Sequence, residues 1–272
     1  MTWTAPDLSD RVAVVTGATR GVGRGIALVL GECGATVHVT GRSTVEEATT
    51  AVTERGGRGV PARLDHTDDA AVGRLFAGLD RLDLLVANAW GGYENYDRAT
   101  FTAPFWEQPV ERLDVMFRTG LRAQFTAARA AAPLLRASRG LLVCTGFTSP
   151  THYLGSLPYD IVKAGVGRLV AGLAHELRRD GVAAVGVWPG FTRTERVVEA
   201  FAAGGAVPPP ETHSVEFAGR AVAALAADPG RMALSGRGIQ AAELAARYGF
   251  DDVDGRTIAP FELPDDLRLE SI

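Results

Sequence analysis

Tyr159 and Lys163 stand four residues apart in Tyr159-Asp160-Ile161-Val162-Lys163. On a helix that spacing puts both side chains on one face. An ammonium beside a phenol favours the phenolate and is expected to lower the tyrosine pKa. A tyrosine so tuned can hand a proton to a carbonyl oxygen while a nicotinamide delivers hydride to the carbon. The same ammonium can bond ribose hydroxyls. The competing reading is a surface tyrosine beside a solvated lysine. Residue usage weighs against it, because the chain carries 28 Lys and Arg and Lys163 is the one lysine among them. A guanidinium cannot replace a compact, tunable charge.

The second constellation is Thr16-Gly17-Ala18-Thr19-Arg20-Gly21-Val22-Gly23. It lies between an apolar β-branched run, 11–16, and an amphipathic run, 22–33, that places Val22, Ile26, Val29 and Leu30 on one helical face. Glycine there lets backbone approach a pyrophosphate, and the helix start offers free N–H groups. A tight strand–helix turn can use glycine for structure alone, but a strand before and a helix after favour nucleotide binding. Gly17, Thr19, Arg20, Gly21, Val22 and Gly23 are therefore assigned to the cofactor. NAD-preferring proteins tend to carry an acid at the end of the second strand. Here Gly41 and Arg42 stand there, with Arg20 in the turn. Arginine makes charge-assisted contacts with a 2′-phosphate, so NADP(H) is expected over NAD(H).

These residues need elements to hold them. Strands are predicted at 11–16, 35–40, 58–64, 82–87, 140–145, 182–188 and 236–240. Helices are predicted at 22–33, 44–55, 67–79, 110–137, 158–179 and 214–227. Strands and helices alternate, and the strands are continuous apolar runs, as when helices cover both faces of a sheet. The expected fold is α/β: a single doubly wound Rossmann-type domain with a parallel seven-stranded sheet, its core at about 10–258. Ligands then bind outside the carboxyl ends of the strands. The segments 90–109 and 190–213 read as long irregular substrate loops, and 259–272 as a C-terminal tail.

The glycine spacing T-G-x-x-x-G-x-G, followed by Tyr-x-x-x-Lys, resembles the short-chain dehydrogenase/reductase superfamily. Phe105-Trp106-Glu107, Gly120-Leu121-Arg122, Ala174–Arg179, Trp188-Pro189-Gly190 and Ala246–Gly255 are similar to the subgroup typified by dehydrogenase/reductase SDR family member one. The resemblance covers nearly the whole chain. It implies an NADPH-dependent carbonyl reductase with Tyr159 as proton donor and Lys163 orienting the ribose. It implies that Asp65 bonds the adenine amino group, although Asp65 could equally cap the next helix, as Thr67 or Asp68 could. Asn88 and Ala89 match N-A-G, with Trp90 in place of the glycine. Pro189, Gly190, Thr192 and Thr194 lie in the matching P-G-x-x-x-T, whose backbone and threonine hold the carboxamide and phosphates.

Two members of the family's catalytic tetrad are replaced. Gly146 stands at the serine position and Gly120 at the asparagine position. Thr145, Thr148 and Ser149 lie near the lost serine, and the sequence does not choose among them. The replacements support a second reading, a weak or inactive NADP(H)-binding sensor or partner protein. Trp90, Tyr93, Tyr96, Phe101, Phe105, Trp106, Phe147 and Tyr153 cluster in segments leaving the ligand edge. They predict a pocket for an apolar or aromatic carbonyl compound.

The net charge is −4 and no long basic run occurs, so a nucleic-acid partner is not expected. No apolar run reaches the ~20 residues of a membrane span, and the start carries no secretory pattern. Cys33 and Cys144 lie far apart in apolar surroundings, so buried free thiols in a cytoplasmic protein are expected, and no metal site. The chain has two asparagines, Asn88 and Asn95. The superfamily's habit of associating through the helices near 110–137 and 158–179 implies a homodimer or homotetramer.

Overall fold

A computed structural model describes residues 3–93 and 98–270; Asn95 and Tyr96 lie outside the described residues. Seven strands form one sheet in the order β3-β2-β1-β4-β5-β6-β7. They are β1 (Val12–Val15), β2 (Thr36–Gly41), β3 (Arg58–Arg63), β4 (Leu84–Ala87), β5 (Leu141–Thr145), β6 (Ala183–Trp188) and β7 (Gly238–Gln240). Every neighbouring pair is parallel. The strand order reverses between β1 and β4, which opens a crevice at their carboxyl ends.

The helices are α1 (Gly21–Glu32), α2 (Val45–Glu54), α3 (Asp69–Ala77), a four-residue α4 (Arg98–Phe101), α5 (Val110–Met116), α6 (Ala123–Ser138), α7 (Leu157–Leu177), α8 (Glu195–Ala203), α9 (Val215–Ala227) and α10 (Ala241–Tyr248). Alternation along the strands divides the interior in two. Ala13, Val15, Val37, Val39, Val143 and Val185 face α1, α9 and α10. Val14, Leu85, Leu142, Cys144 and Ala184 face α3, α6 and α7. The continuous apolar runs of the central strands are thus explained, since both faces are covered there, whereas the edge strand β3 has no buried residue. Both cysteines are buried and free, and burial pushes each thiol up to about 12.

The predicted helix at 110–137 is continuous but not uniform. Phe117–Arg122, between α5 and α6, winds as a π-helix with Gly120 inside it. Such turns often occur at functional sites. The segments 90–109 and 190–213 are not irregular throughout, because α4 occupies Arg98–Phe101 and α8 occupies Glu195–Ala203. Thr194 caps α8 by accepting a hydrogen bond from Val197 N, and Val197, Val198 and Phe201 supply the helical apolar spacing. The tail beyond 258 packs back on the domain. Tyr153 N donates to Leu267 O at 2.8 Å and Leu269 N to Thr151 O at 2.9 Å.

Among the described residues, no helix is long and apolar enough to cross a membrane, and no cluster of metal-ligating side chains occurs.

Candidate active site

The cofactor residues meet at the carboxyl ends of β1, β2, β4 and β6. Gly17 and Gly21 adopt φ of +64° and +57°, a region that only glycine enters freely. A Cβ on Gly17 would lie 2.9 Å from Ala89 Cα, and one on Gly23 would lie 2.3 Å from Gly17 O. The turn is therefore folded tightly on itself and against β4's end. Arg20 is exposed at the N-cap of α1 without capping that helix, and the first turn holds no acidic residue. Val22 follows in that turn, and Thr19 packs where a Cβ on Gly41 would fall, 2.6 Å from its Cγ2.

Asn88 fastens three strand ends together. Its Nδ2 donates to Thr16 O at 2.9 Å and Gly17 O at 3.2 Å, while its Oδ1 accepts from Thr145 Oγ1 at 3.0 Å. Thr16 Oγ1 accepts from the N–H groups of Asn88 and Ala89 at 2.7 and 2.9 Å. Asp65 accepts from Thr67 N and Oγ1, both at 2.8 Å. The Thr67 backbone contact holds its carboxyl below the ordinary value, and the Arg42 charge adds to this. Asp68, not Asp65, caps α3 through Ala70 and Ala71.

Beyond β6, Pro189 and Gly190 (φ +86°) begin the other wall. Thr192 is buried and pairs in parallel with His213. Thr194 reaches the glycine turn: its Cγ2 is 3.5 Å from a Cβ built on Gly21. The next residue, Glu195, accepts from Gly21 N at 2.9 Å. The two predicted cofactor motifs, distant in the chain, are thus in contact.

Tyr159 and Lys163 project from α7 toward the same edge. Lys163 is buried, and its Nζ lies 5.4 Å from the Tyr159 ring centroid and 3.6 Å from the Trp90 ring centroid. Burial brings the ammonium down to about 7. Burial also raises the Tyr159 phenol, while a side-chain hydrogen bond with Tyr93 pulls it down. The expected depression of the phenol by Lys163 is therefore not found. A lysine removed from water loses its preference for the charged form, and a phenol in the same surroundings resists ionisation.

The lost tetrad positions are filled by indoles. A Cβ on Gly146 would lie 2.7 Å from Trp188 Cζ3, and one on Gly120 would lie 2.5 Å from Trp90 Cζ3. The three neighbouring hydroxyls separate in the structure. Thr145 is engaged with Asn88. Thr148 turns its methyl to α7, 3.1 Å from a Cβ on Gly167. Ser149 bonds among Thr151 and His152.

The aromatic expectation divides. Trp90, Tyr93 and Phe101 surround Tyr159, with ring centroids 5.6, 6.4 and 5.8 Å away. Phe105 and Trp106 do not join them and are exposed at 59% and 72%. Phe147 faces Phe261, which also meets Phe191. Nothing in the tail sequence marks the return of Phe261 to the sheet edge.

Two further groups escape a reading of the sequence. Arg196 donates to Tyr93 O and lays its guanidinium 5.4 Å from that ring, so α8 grips both the glycine turn and the substrate loop. The tail motif Asp251–Gly255 acts on the other wall: Asp252 accepts from Ser214 N at 2.8 Å, and Asp254 pairs with Arg193 at 3.3 Å.

With this geometry in place, comparisons with known proteins agree. Residues 11–203 match the short chain dehydrogenase family model, and the chain belongs to that family. It is similar to human dehydrogenase/reductase SDR family member 1, 37% identical over 98% of this chain and 90% of the relative. The mouse protein of the same name is 38% identical over 93% and 87%. Among solved structures, it is similar to a 3-oxoacyl-[acyl-carrier protein] reductase from Brucella melitensis in complex with NAD (TM-score 0.71, 26% identity, 88% of this chain and 96% of that one). It is also similar to a putative 2-deoxy-D-gluconate 3-dehydrogenase from Agrobacterium tumefaciens with bound NADP (TM-score 0.72, 26% identity, 86% and 95%).

Proposed function

We propose that this short-chain dehydrogenase is an NADP(H)-dependent carbonyl reductase acting on apolar or aromatic ketones or aldehydes. One observation carries the reading: Tyr159 and Lys163 lie together, among rings, at the sheet edge that also bears the glycine turn. The residues there suit a dinucleotide. Glycines 17 and 23 leave no room for a Cβ, and Arg20 and Arg42 stand exposed at the ends of β1's turn and β2. Gly17, Thr19, Gly21, Val22 and Gly23 would line the pyrophosphate, Asp65 the adenine, Asn88 and Ala89 the ribose side, and Pro189, Gly190, Thr192 and Thr194 the nicotinamide end. When bound, the cofactor supplies hydride.

Tyr159 then gives its proton to the carbonyl oxygen as negative charge develops there. Burial holds the proton on the Tyr159 phenol in the free protein, and the Lys163 ammonium favours its release. Lys163 holds ribose hydroxyls and steadies the tyrosinate that results. The rings of Trp90, Tyr93 and Phe101 exclude water and receive an apolar substrate. The preference for NADP(H) rests on Arg42 and on the absence of an acid after β2. We assign the protein to the cytoplasm, as a homodimer or homotetramer.

A second reading, an NADP(H)-binding protein with little turnover, is favoured by one feature. Trp188 fills the space where a serine side chain at position 146 would stand. The test compares the native protein with Tyr159→Phe on a panel of ketones, aldehydes and quinones, with NADPH and NADH. NADPH consumption by the native protein should fall at least about 100-fold in the variant, the scale of a lost general acid. Tight NADPH binding without turnover of any compound would favour the binding protein.

A further inference from the structure

Lys163 has an unusual neighbour. Among the described residues, the face of Trp90, not a polar side chain, covers its ammonium at 3.6 Å. Three observations show that this ring is placed and not merely present. First, the backbone is shaped to admit it: the six-membered ring of the indole lies over Gly120, where any side chain would collide at 2.5–2.7 Å. Gly120 lies within the π-helical segment Phe117–Arg122, and Gly91 and Gly92 let the loop close on Thr119 and Met116 of the same region. Second, the ring meets Tyr159 edge-on at 5.6 Å and 83°. It therefore touches both members of the pair. Third, the indole N–H is buried and has no acceptor among the described residues. A ring held for packing alone would gain by turning that donor to an acceptor or to water. Its orientation is instead one that presents the face to the ammonium.

We propose that Trp90 is the positioning residue for Lys163, holding and charging the ammonium through its ring face in the space that Gly120 leaves. This rests on the catalytic reading of Tyr159 and Lys163. A ring face attracts a cation without consuming an N–H donor, so the ammonium keeps its donors for hydroxyl oxygens. It also opposes burial, which drives Lys163 toward the neutral amine. Among the described residues, the titratable groups that face Lys163 are phenols, Tyr159 and, through it, Tyr93. No charged side chain among the described residues is a cause of its shift. The ring is thus the element that favours the cation.

The chain permits a direct test, because Lys163 is its one lysine. Biosynthetic labelling with 13C-lysine gives a single Cε resonance, whose pH titration reports this ammonium. The midpoint should fall by about one unit in Trp90→Leu, and by less in Trp90→Phe, which retains a ring. The Phe variant also guards against a folding defect in the Leu variant. Gly120→Asn alone should displace the indole and reduce kcat at least about tenfold, an expected loss of one activation increment. An unmoved midpoint in both folded Trp90 variants overturns the inference. Tyr159→Phe serves as the control. If it turns over like the native protein, the catalytic reading fails, whatever the titration gives. If it collapses while the midpoint stays fixed, only the role of Trp90 fails.

Discussion

Asn88 spends its whole amide on the protein. It donates to two carbonyls of the glycine turn and accepts from Thr145. Removing it leaves these half-buried groups unpaired, and each such group costs about 1–3 kcal/mol. Asn88→Ala should lower stability by about 2–4 kcal/mol in urea unfolding and weaken NADPH binding. Unchanged binding would separate the amide from the cofactor turn. His66 offers a different test. It is buried, its Nε2 lies 2.7 Å from Thr40 Oγ1, and burial lowers it to about 4 from 6.5. The folded state thus disfavours the imidazolium. The stability that His66 contributes is fully present above pH 6.5 and is lost as the pH falls toward 4. The loss is about 3 kcal/mol over that window. Urea midpoints measured from pH 7 to 4 should fall less steeply in His66→Gln. Parallel slopes would assign the acid sensitivity to other groups.

At the scale of elements, the position of the glycine turn depends on how closely α1 approaches α9. A Cβ on Gly25 would lie 2.0 Å from Val215 O, and one on Gly219 would lie 2.8 Å from Gly25 O. Both obstacles are backbone, so neither can rotate away. Gly25→Ala should therefore destabilise by about 3 kcal/mol despite the better helix propensity of alanine. Thermal and urea unfolding would measure this, and a neutral result would show that the two helices can separate. The same packing fixes Val215 and Ser214, and Ser214 is held by Asp252 of the tail motif. A sequence feature far from either motif thus helps to set the wall that carries Thr192 and Thr194. On the other side, α8 connects the glycine turn to Tyr93 through Glu195 and Arg196.

Considered whole, the molecule exposes apolar side chains on several of its helices. Val115, Phe117, Phe125 and Ile161 are 38–51% exposed, on α5, the π-helical segment, α6 and α7. These are the helices through which association was expected. If they form the subunit contact, Phe125→Asp should shift the native oligomer toward monomer in light scattering after size exclusion, because a charge at an apolar contact must be desolvated. An unaltered mass would place the contact elsewhere or exclude it. The C-terminal region also belongs to the whole. Phe261 exchanges hydrogen bonds with Gln240 at 2.6 and 3.0 Å, and the strand-like pairing of His152 with Arg268 closes the chain over the segment after β5.

The order of elements, the parallel sheet and the two motifs were legible in the residues, because hydrophobic period and glycine spacing are local properties. Tyr159 and Lys163 were legible for the same reason: four residues on a helix define one face. What a local pattern cannot contain is which side chain enters a space left by another. Gly146 and Gly120 read as losses, yet Trp188 and Trp90 occupy the space beside them. Thr145 read as a candidate hydroxyl until its partner proved to be Asn88. Sequence proximity places a charge beside Tyr159, but burial, which depends on the whole fold, sets the direction of its shift. Periodicity, spacing and the family resemblance determined the strands, the longer helices and the residues brought to the sheet edge, but not α4, α8 or α10. The tertiary structure decided what surrounds those residues, since burial, ring stacking and backbone approach arise between segments distant in the chain.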